Sequence, residues 1–134
     1  MSEIDEIRRK YESGQLDVIR EDLERFLRAH REQILRFRDS RRTSPSLGLS
    51  DELAVKLYIL RQRSINPKRE IEEQLQEIHR EKWIRGIQMG QPPDAEQVAS
   101  EWARLYSAGW RSHRVLSIVY VFEREKERFL RLLA

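Results

Sequence analysis

The sequence predicts an all-α protein: a bundle of five or six helices, two or more of them long, forming a single domain over residues 1–134. Three observations lead there. Charged residues make up 37% of the chain, against about 25% in an ordinary globular protein. Helix breakers are scarce, with 5 Gly and 4 Pro. Apolar residues recur every three or four positions, the period of an amphipathic helix. High charge with few breakers favours long helices with solvated faces over sheets. A chain of this length buries a real core without a metal or a disulfide.

Taken in order, Ser2 caps a short first helix that stops near Gly14. Leu16, Ile19, Leu23, Phe26, Leu27, His30, Ile34 and Phe37 then form one stripe on a helix of about 24 residues. Glu21 with Arg25, Glu24 with Arg28 and Glu32 with Arg36 are acidic-then-basic pairs four apart, each worth about 0.2–0.5 kcal/mol in an isolated helix. The stripe nearly follows heptads, which suits a partner helix. Residues 40–50, "SRRTSPSLGLS", form a loop. Ser50 caps a helix carrying Leu53, Leu57 and Leu60 on one face. It stops at a turn near 66–67, where Asn66 caps a new helix with Pro67 at its first position. That helix places Ile71, Leu75, Ile78, Trp83 and Ile87 on a broad stripe and ends near Gly90. Residues 90–94, "GQPPD", make a turn, and Asp94 with Gln97 reads as a capping box. Val98, Trp102, Leu105 and Tyr106 continue at helical spacing. "SAG" at 107–109 breaks the helix, bends it or admits a close neighbour, so residues 94–134 form either one long helix or two.

The stretch "WRSHRVLSIVYVFERE", residues 110–125, stands apart. From Val115 to Phe122 only Ser117 interrupts the apolar run. Its β-branched residues also suit a strand. No Gly or Pro closes the run, however, and the helical stripe continues into Phe129, Leu130 and Leu133. A lone strand would have nothing to pair with. The expectation is a helix buried on most of its circumference, at the centre of a bundle or at a dimer contact.

Several function classes lose their raw material. The chain has no Cys, which excludes disulfides, thiolate nucleophiles and thiolate metal sites. Di-metal bundles use Glu-x-x-His, but the residues three before His30, His79 and His113 are Leu27, Gln76 and Trp110. There is no G-x-S-x-G elbow and no Gly-rich phosphate loop. The protein is therefore expected to be no enzyme and to hold no metal or cofactor. The first residues are charged from position 3, and the apolar run is too short to cross a bilayer. A soluble, cytoplasmic protein without a membrane partner is expected.

Two constellations remain. The basic set holds 21 Arg against 5 Lys, for a net charge of +3 with the signs interleaved. Arg36, Arg38, Arg41 and Arg42 gather at the end of the long second helix, and Arg61, Arg63, Lys68 and Arg69 surround a second junction. On one side of the bundle they would form a phosphate or nucleic-acid patch. Basic residues in last turns also simply complement helix dipoles. Trp102, Tyr106 and Trp110, spaced by four, either pack in the core or line a groove. Together with Val115, Val119 and Phe122 they are the candidate interface residues. The leading expectation is a non-catalytic protein–protein interaction module acting as a homodimer. The alternative is a nucleic-acid-associated protein using the Arg-rich junctions, and a third class is a small-ligand binder at the aromatic triplet.

Residues 77–114 carry Ile78, His79, Lys82 and Trp83 before a turn at Gly90, then Ala99, Trp102, Trp110 and Arg111. This pattern resembles a helical-hairpin segment found in bacterial proteins of unknown function. It departs from that pattern at "IRG" and "QPP", where Ser-Glu and an acidic-aliphatic pair are expected. The resemblance implies a helix–turn–helix hairpin in a bacterial protein and no activity.

Overall fold

A computed structural model describes residues 2–40, 49–91 and 94–134. Among them there are eight α-helices, a terminal 3₁₀ turn over Arg131–Leu133 and no strand. The helices are α1 (Glu3–Glu12), α2 (Asp17–Ala29), α3 (Arg31–Ser40), α4 (Asp51–Gln62), α5 (Pro67–Met89), α6 (Ala95–Leu105), α7 (Ser107–Arg124) and α8 (Lys126–Leu130). None is long and apolar enough to cross a membrane among the described residues. The all-α class stands.

The starts follow side-chain chemistry. Ser2 Oγ accepts the Asp5 N–H at 3.2 Å, Ser50 Oγ that of Leu53 at 3.1 Å, and Asn66 Oδ1 that of Arg69 at 3.1 Å. Each satisfies an amide that the helix itself leaves unpaired. Asp94 caps α6 differently from the expected box. It accepts from Glu96 N–H at 3.0 Å, while the Gln97 amide turns forward to Glu101 Oε1 at 3.4 Å. The carboxylate one turn ahead draws the Gln97 side chain forward by its NH2, away from the reach back that the box requires of its carbonyl oxygen.

Eight helices stand where five or six were expected, because long stripes are cut at single residues. His30 (φ −105°, ψ 14°) separates α2 from α3. Its imidazole Nδ1 lies 2.8 Å from the Tyr58 hydroxyl and stacks on Phe26. Tyr106 (φ −120°) separates α6 from α7, next to Ser107, whose hydroxyl donates back to the Ala103 carbonyl. Such back-bonding bends helices. Glu125 (φ −126°) separates α7 from α8, and its carboxylate is drawn to Tyr11 and Arg20. At His30 and Glu125 the break coincides with a side chain held by another helix.

The chain divides into two compact units, Met1–Ile65 with His113–Ala134, and Asn66–Ser112. The first holds the apolar core. Ile7, Leu23, Leu27, Ile34, Ile59, Ile118, Phe122 and Phe129 are fully buried there. Each contributes roughly 1.5–3 kcal/mol by leaving water. The run from Val115 to Phe122 is helical, and Val115, Ser117, Ile118, Val121 and Phe122 are covered by the protein's own chain. The buried Ser117 hydroxyl donates to the His113 carbonyl at 2.9 Å. On α4 the buried side chains are Ala54, Val55, Tyr58 and Ile59, while Leu53, Leu57 and Leu60 are exposed. Both sides of that helix are apolar, and the side carrying the Tyr58–His30 hydrogen bond faces in.

Candidate functional site

The second unit is built on α5. Asn66 and Pro67 start it, and Gly90, in the left-handed region at φ +69°, ends it. Its charged side faces its neighbours. Arg85 donates to Glu101 of α6 at 2.5 Å and to Glu81 at 3.1 Å. The Glu70 carboxylate is fully buried and meets Arg111 at 3.1 Å. The hydrogen bond between Arg85 and Glu101 holds the guanidinium above and the carboxyl below its ordinary range. Glu77 and Glu81 line a groove with Trp102 and Tyr106.

The apolar side of α5 faces solvent. Ile71 is 57% exposed, Trp83 67% and Ile87 62%, with Leu75 and Met89 about half exposed. A groove of about 470 Å³ runs along the last turns, lined by His79, Lys82, Trp83, Gly86, Ile87, Gly90 and Gln91. Of the stripe Ile71, Leu75, Ile78, Trp83 and Ile87, all but the half-buried Ile78 lie on an outer face in the structure. The inner side carries Glu70, Glu77, Glu81 and Arg85, which fall along one side of the helix, with Arg85 paired to Glu101 and Glu70 to Arg111.

Trp102, Tyr106 and Trp110 do come together. With Glu77, Arg80 and Glu81 they line a groove of about 290 Å³. Trp102 is buried, Tyr106 exposed, and Trp110 half-buried with the Arg111 guanidinium 5.6 Å from its ring centre. The other interface candidates lie elsewhere. Phe122 is in the core of the first unit, Val119 packs against that core, and Val115 is buried.

The basic junctions are divided too. Arg36 and Arg61 meet across a groove of about 360 Å³ between α3 and α4, with Gln33, Phe37, Ser40, Tyr58 and Gln62. The Arg61 guanidinium lies 5.9 Å from the Phe37 ring centre, and Arg36 stands 3.8 Å from Glu32. Arg38 instead clamps the helix ends, donating to Asp51 at 2.7 Å and to Asp39 at 3.0 Å. Those two bonds raise its guanidinium above the ordinary range. Arg63 ends α4 in the left-handed conformation at φ 60°. Lys68 and Arg69 belong to the first turn of α5, in the second unit. Arg41 and Arg42 lie outside the described residues.

One charged cluster in the first unit is closed on itself. Glu125 accepts from Arg20 Nε at 2.6 Å, from the Tyr11 hydroxyl at 3.0 Å and from Arg128 at 3.2 Å. Burial pushes the Glu125 carboxyl up, and these donors outweigh it and hold it below the ordinary range. The Arg20 and Arg124 guanidinium groups lie 5.7 and 5.4 Å from the Tyr11 ring centre. The cluster ties α1 and α2 to the α7–α8 break, a structural task. No group of three or more His, Asp or Glu side chains suited to a metal ion occurs among the described residues. Compared with protein-family models, curated proteins and solved structures, the chain has no significant match.

Proposed function

We propose that the protein is a non-catalytic protein–protein interaction module that acts as a homo-oligomer. One observation carries this reading: α5 keeps its charged side for its own chain and leaves Ile71, Leu75, Trp83 and Ile87 in water. Exposed large apolar side chains aligned on one helix face suit an association surface. Trp and aliphatic anchors beside a small-residue dent at Gly86 suit a packed interface. The exposed Leu53, Leu57 and Leu60 on α4 add a second apolar stripe. The test is sedimentation equilibrium. The protein is expected to associate at micromolar concentration, and Trp83→Asp is expected to be monomeric with an unchanged circular dichroism spectrum. A wild-type protein that stays monomeric at high micromolar concentration refutes the reading.

A second reading, nucleic-acid association, is favoured by the groove between α3 and α4, where Arg36 and Arg61 flank Phe37 and Tyr58. Guanidinium groups suit phosphates, and the aromatic rings suit unstacked bases. Replacing Arg36 and Arg61 with Ala should lower the salt slope of single-stranded RNA binding by up to about 1.4. An unchanged slope removes this groove from the reading.

A further inference from the structure

The exposed residues of α5 are arranged symmetrically about one position. Leu75 and Trp83 lie four residues before and after His79, and Ile71 and Ile87 lie eight before and after it. All four are exposed apolar side chains, and His79 between them is exposed as well. A two-fold axis makes a surface meet itself, so that residue i touches j and j touches i. We infer that two copies of the chain pair through antiparallel α5 helices, with the axis at His79. This rests on the self-association reading and adds its surface, direction and register.

The groove fits that register. Its lining divides into two successive diamonds, His79–Lys82–Trp83–Gly86 and Trp83–Gly86–Ile87–Gly90. The spacing within each, three, four and seven residues from its first member, is that of the hole that receives a knob in packed helices. With the axis at His79, Leu75 of the second copy comes level with Trp83, and its Ile71 comes level with Ile87. Two knobs four residues apart thus meet two holes four residues apart, and each copy supplies both.

Charge selects the antiparallel direction. Lys68 and Arg69 occupy the first turn of α5, and the last turn carries no basic residue. The first turn also holds Glu70, but that carboxylate is buried against Arg111, so the exposed charge at the positive end is Lys68 and the negative end has no cation, the reverse of what the dipole favours. Antiparallel pairing brings Lys68 of one copy level with Gly90 of the other, at the carbonyl-bearing end. Lys82 comes level with Gln76 of the other copy, one turn from its Glu72. Parallel pairing would instead stack Lys68 on Lys68 and Lys82 on Lys82.

The absence of native Cys makes the test direct, since each introduced Cys is the only thiol. His79→Cys, Ile71→Cys and Ile87→Cys are prepared as full-length proteins, checked for unchanged circular dichroism, sedimented reduced and then oxidised. His79→Cys is expected to form a disulfide-linked dimer rapidly. Ile71→Cys alone is not, because eight residues from the axis in each copy place the two thiols about 24 Å apart along the helices. An equimolar mixture of Ile71→Cys and Ile87→Cys is expected to cross-link again. Cross-linking of Ile71→Cys with itself, or a sedimenting dimer with no cross-link at any of these positions, overturns the antiparallel pairing while leaving self-association intact. Wild-type protein that is monomeric at high micromolar concentration overturns both.

Discussion

Helix α2 turns Ile19, Leu23, Phe26 and Leu27 into a shared core, whereas α5 turns Ile71, Leu75, Trp83 and Ile87 into solvent and gives its neighbours Glu70, Glu77, Glu81 and Arg85. The two helices spend their apolar surface differently. In α2 it closes the protein's own chain. In α5 it stays available, and the hairpin with α6 rests on Val98, Trp102 and ion pairs. Partly exposed ion pairs of this kind stabilise little. The second unit therefore has the most to gain from a bound partner, because anything that binds only the folded state stabilises it.

The strongest test of that contrast is a pair of large-to-small substitutions. Phe122→Ala opens a cavity in the first unit and is expected to cost about 3–5 kcal/mol, read as a loss in urea denaturation. Trp83→Ala removes an even larger side chain but leaves no cavity in the isolated chain. Measured dilute enough to suppress association, it should fall within about 0.5 kcal/mol of wild type. Equal losses at the two positions would mean that Trp83 is covered by the protein's own chain, and the contrast would fail.

This contrast also marks what the sequence made legible. The all-α class, the caps at Ser2, Ser50 and Asn66, and the helical character of 110–125 follow from local rules, which act over a few residues. The spacing of Trp102, Tyr106 and Trp110 left core packing and a groove both open; in the structure Trp102 is buried and all three line a groove. Which face of α4 or α5 turns inward was not legible. Periodicity reports that a helix has an apolar face and says nothing of what meets it. On α4 both faces are apolar, and the one that faces in carries Tyr58, whose hydroxyl meets His30 from 28 residues away. On α5 the inward face meets Glu101 and Arg111, partners visible only once α6 and the start of α7 are in place. The breaks at His30 and Glu125 were illegible for the same reason: each coincides with a distant hydrogen-bond partner.

Next in size is the cluster that fastens α1 and α2 to the α7–α8 break. Glu125→Gln keeps the shape but removes the charge that Arg20, Arg128 and Tyr11 share. A loss of about 1.5–3 kcal/mol is expected in chemical denaturation, the worth of a hydrogen bond to a charged group. In the second unit the Glu101 carboxylate that pairs with Arg85 is more exposed than that of Glu125, and Glu101→Gln should cost less.

Acid should act on the same cluster. The folded protein holds the Glu125 carboxyl below its ordinary value of 4.5. A carboxyl depressed by folding contributes stability that is complete above the unfolded value and is lost as pH falls through the folded one. Stability should therefore decline below about pH 4.5. In Glu125→Gln the part of that decline belonging to this group should vanish, which denaturation midpoints at pH 3, 4 and 6 would reveal. A decline of the same steepness in the variant would assign it to other carboxylates.

The smallest expected effect separates the two regions by location rather than size. Gly90 ends α5 at φ +69°, and a Cβ built there meets nothing within 4 Å. The cost of Gly90→Ala is therefore conformational alone, about 1–2 kcal/mol for an L side chain in the left-handed region. It should appear where α5 ends, because the core of the first unit has no member in the second. Native-state hydrogen exchange is the suitable measurement, since local openings report separately from global ones. Amides in the last two turns of α5 should exchange several-fold faster in the variant, while those of Leu27, Ile118 and Phe122 keep wild-type rates. Faster exchange at both sets would mean that the end of α5 and the apolar core open together, and that the two units behave as one.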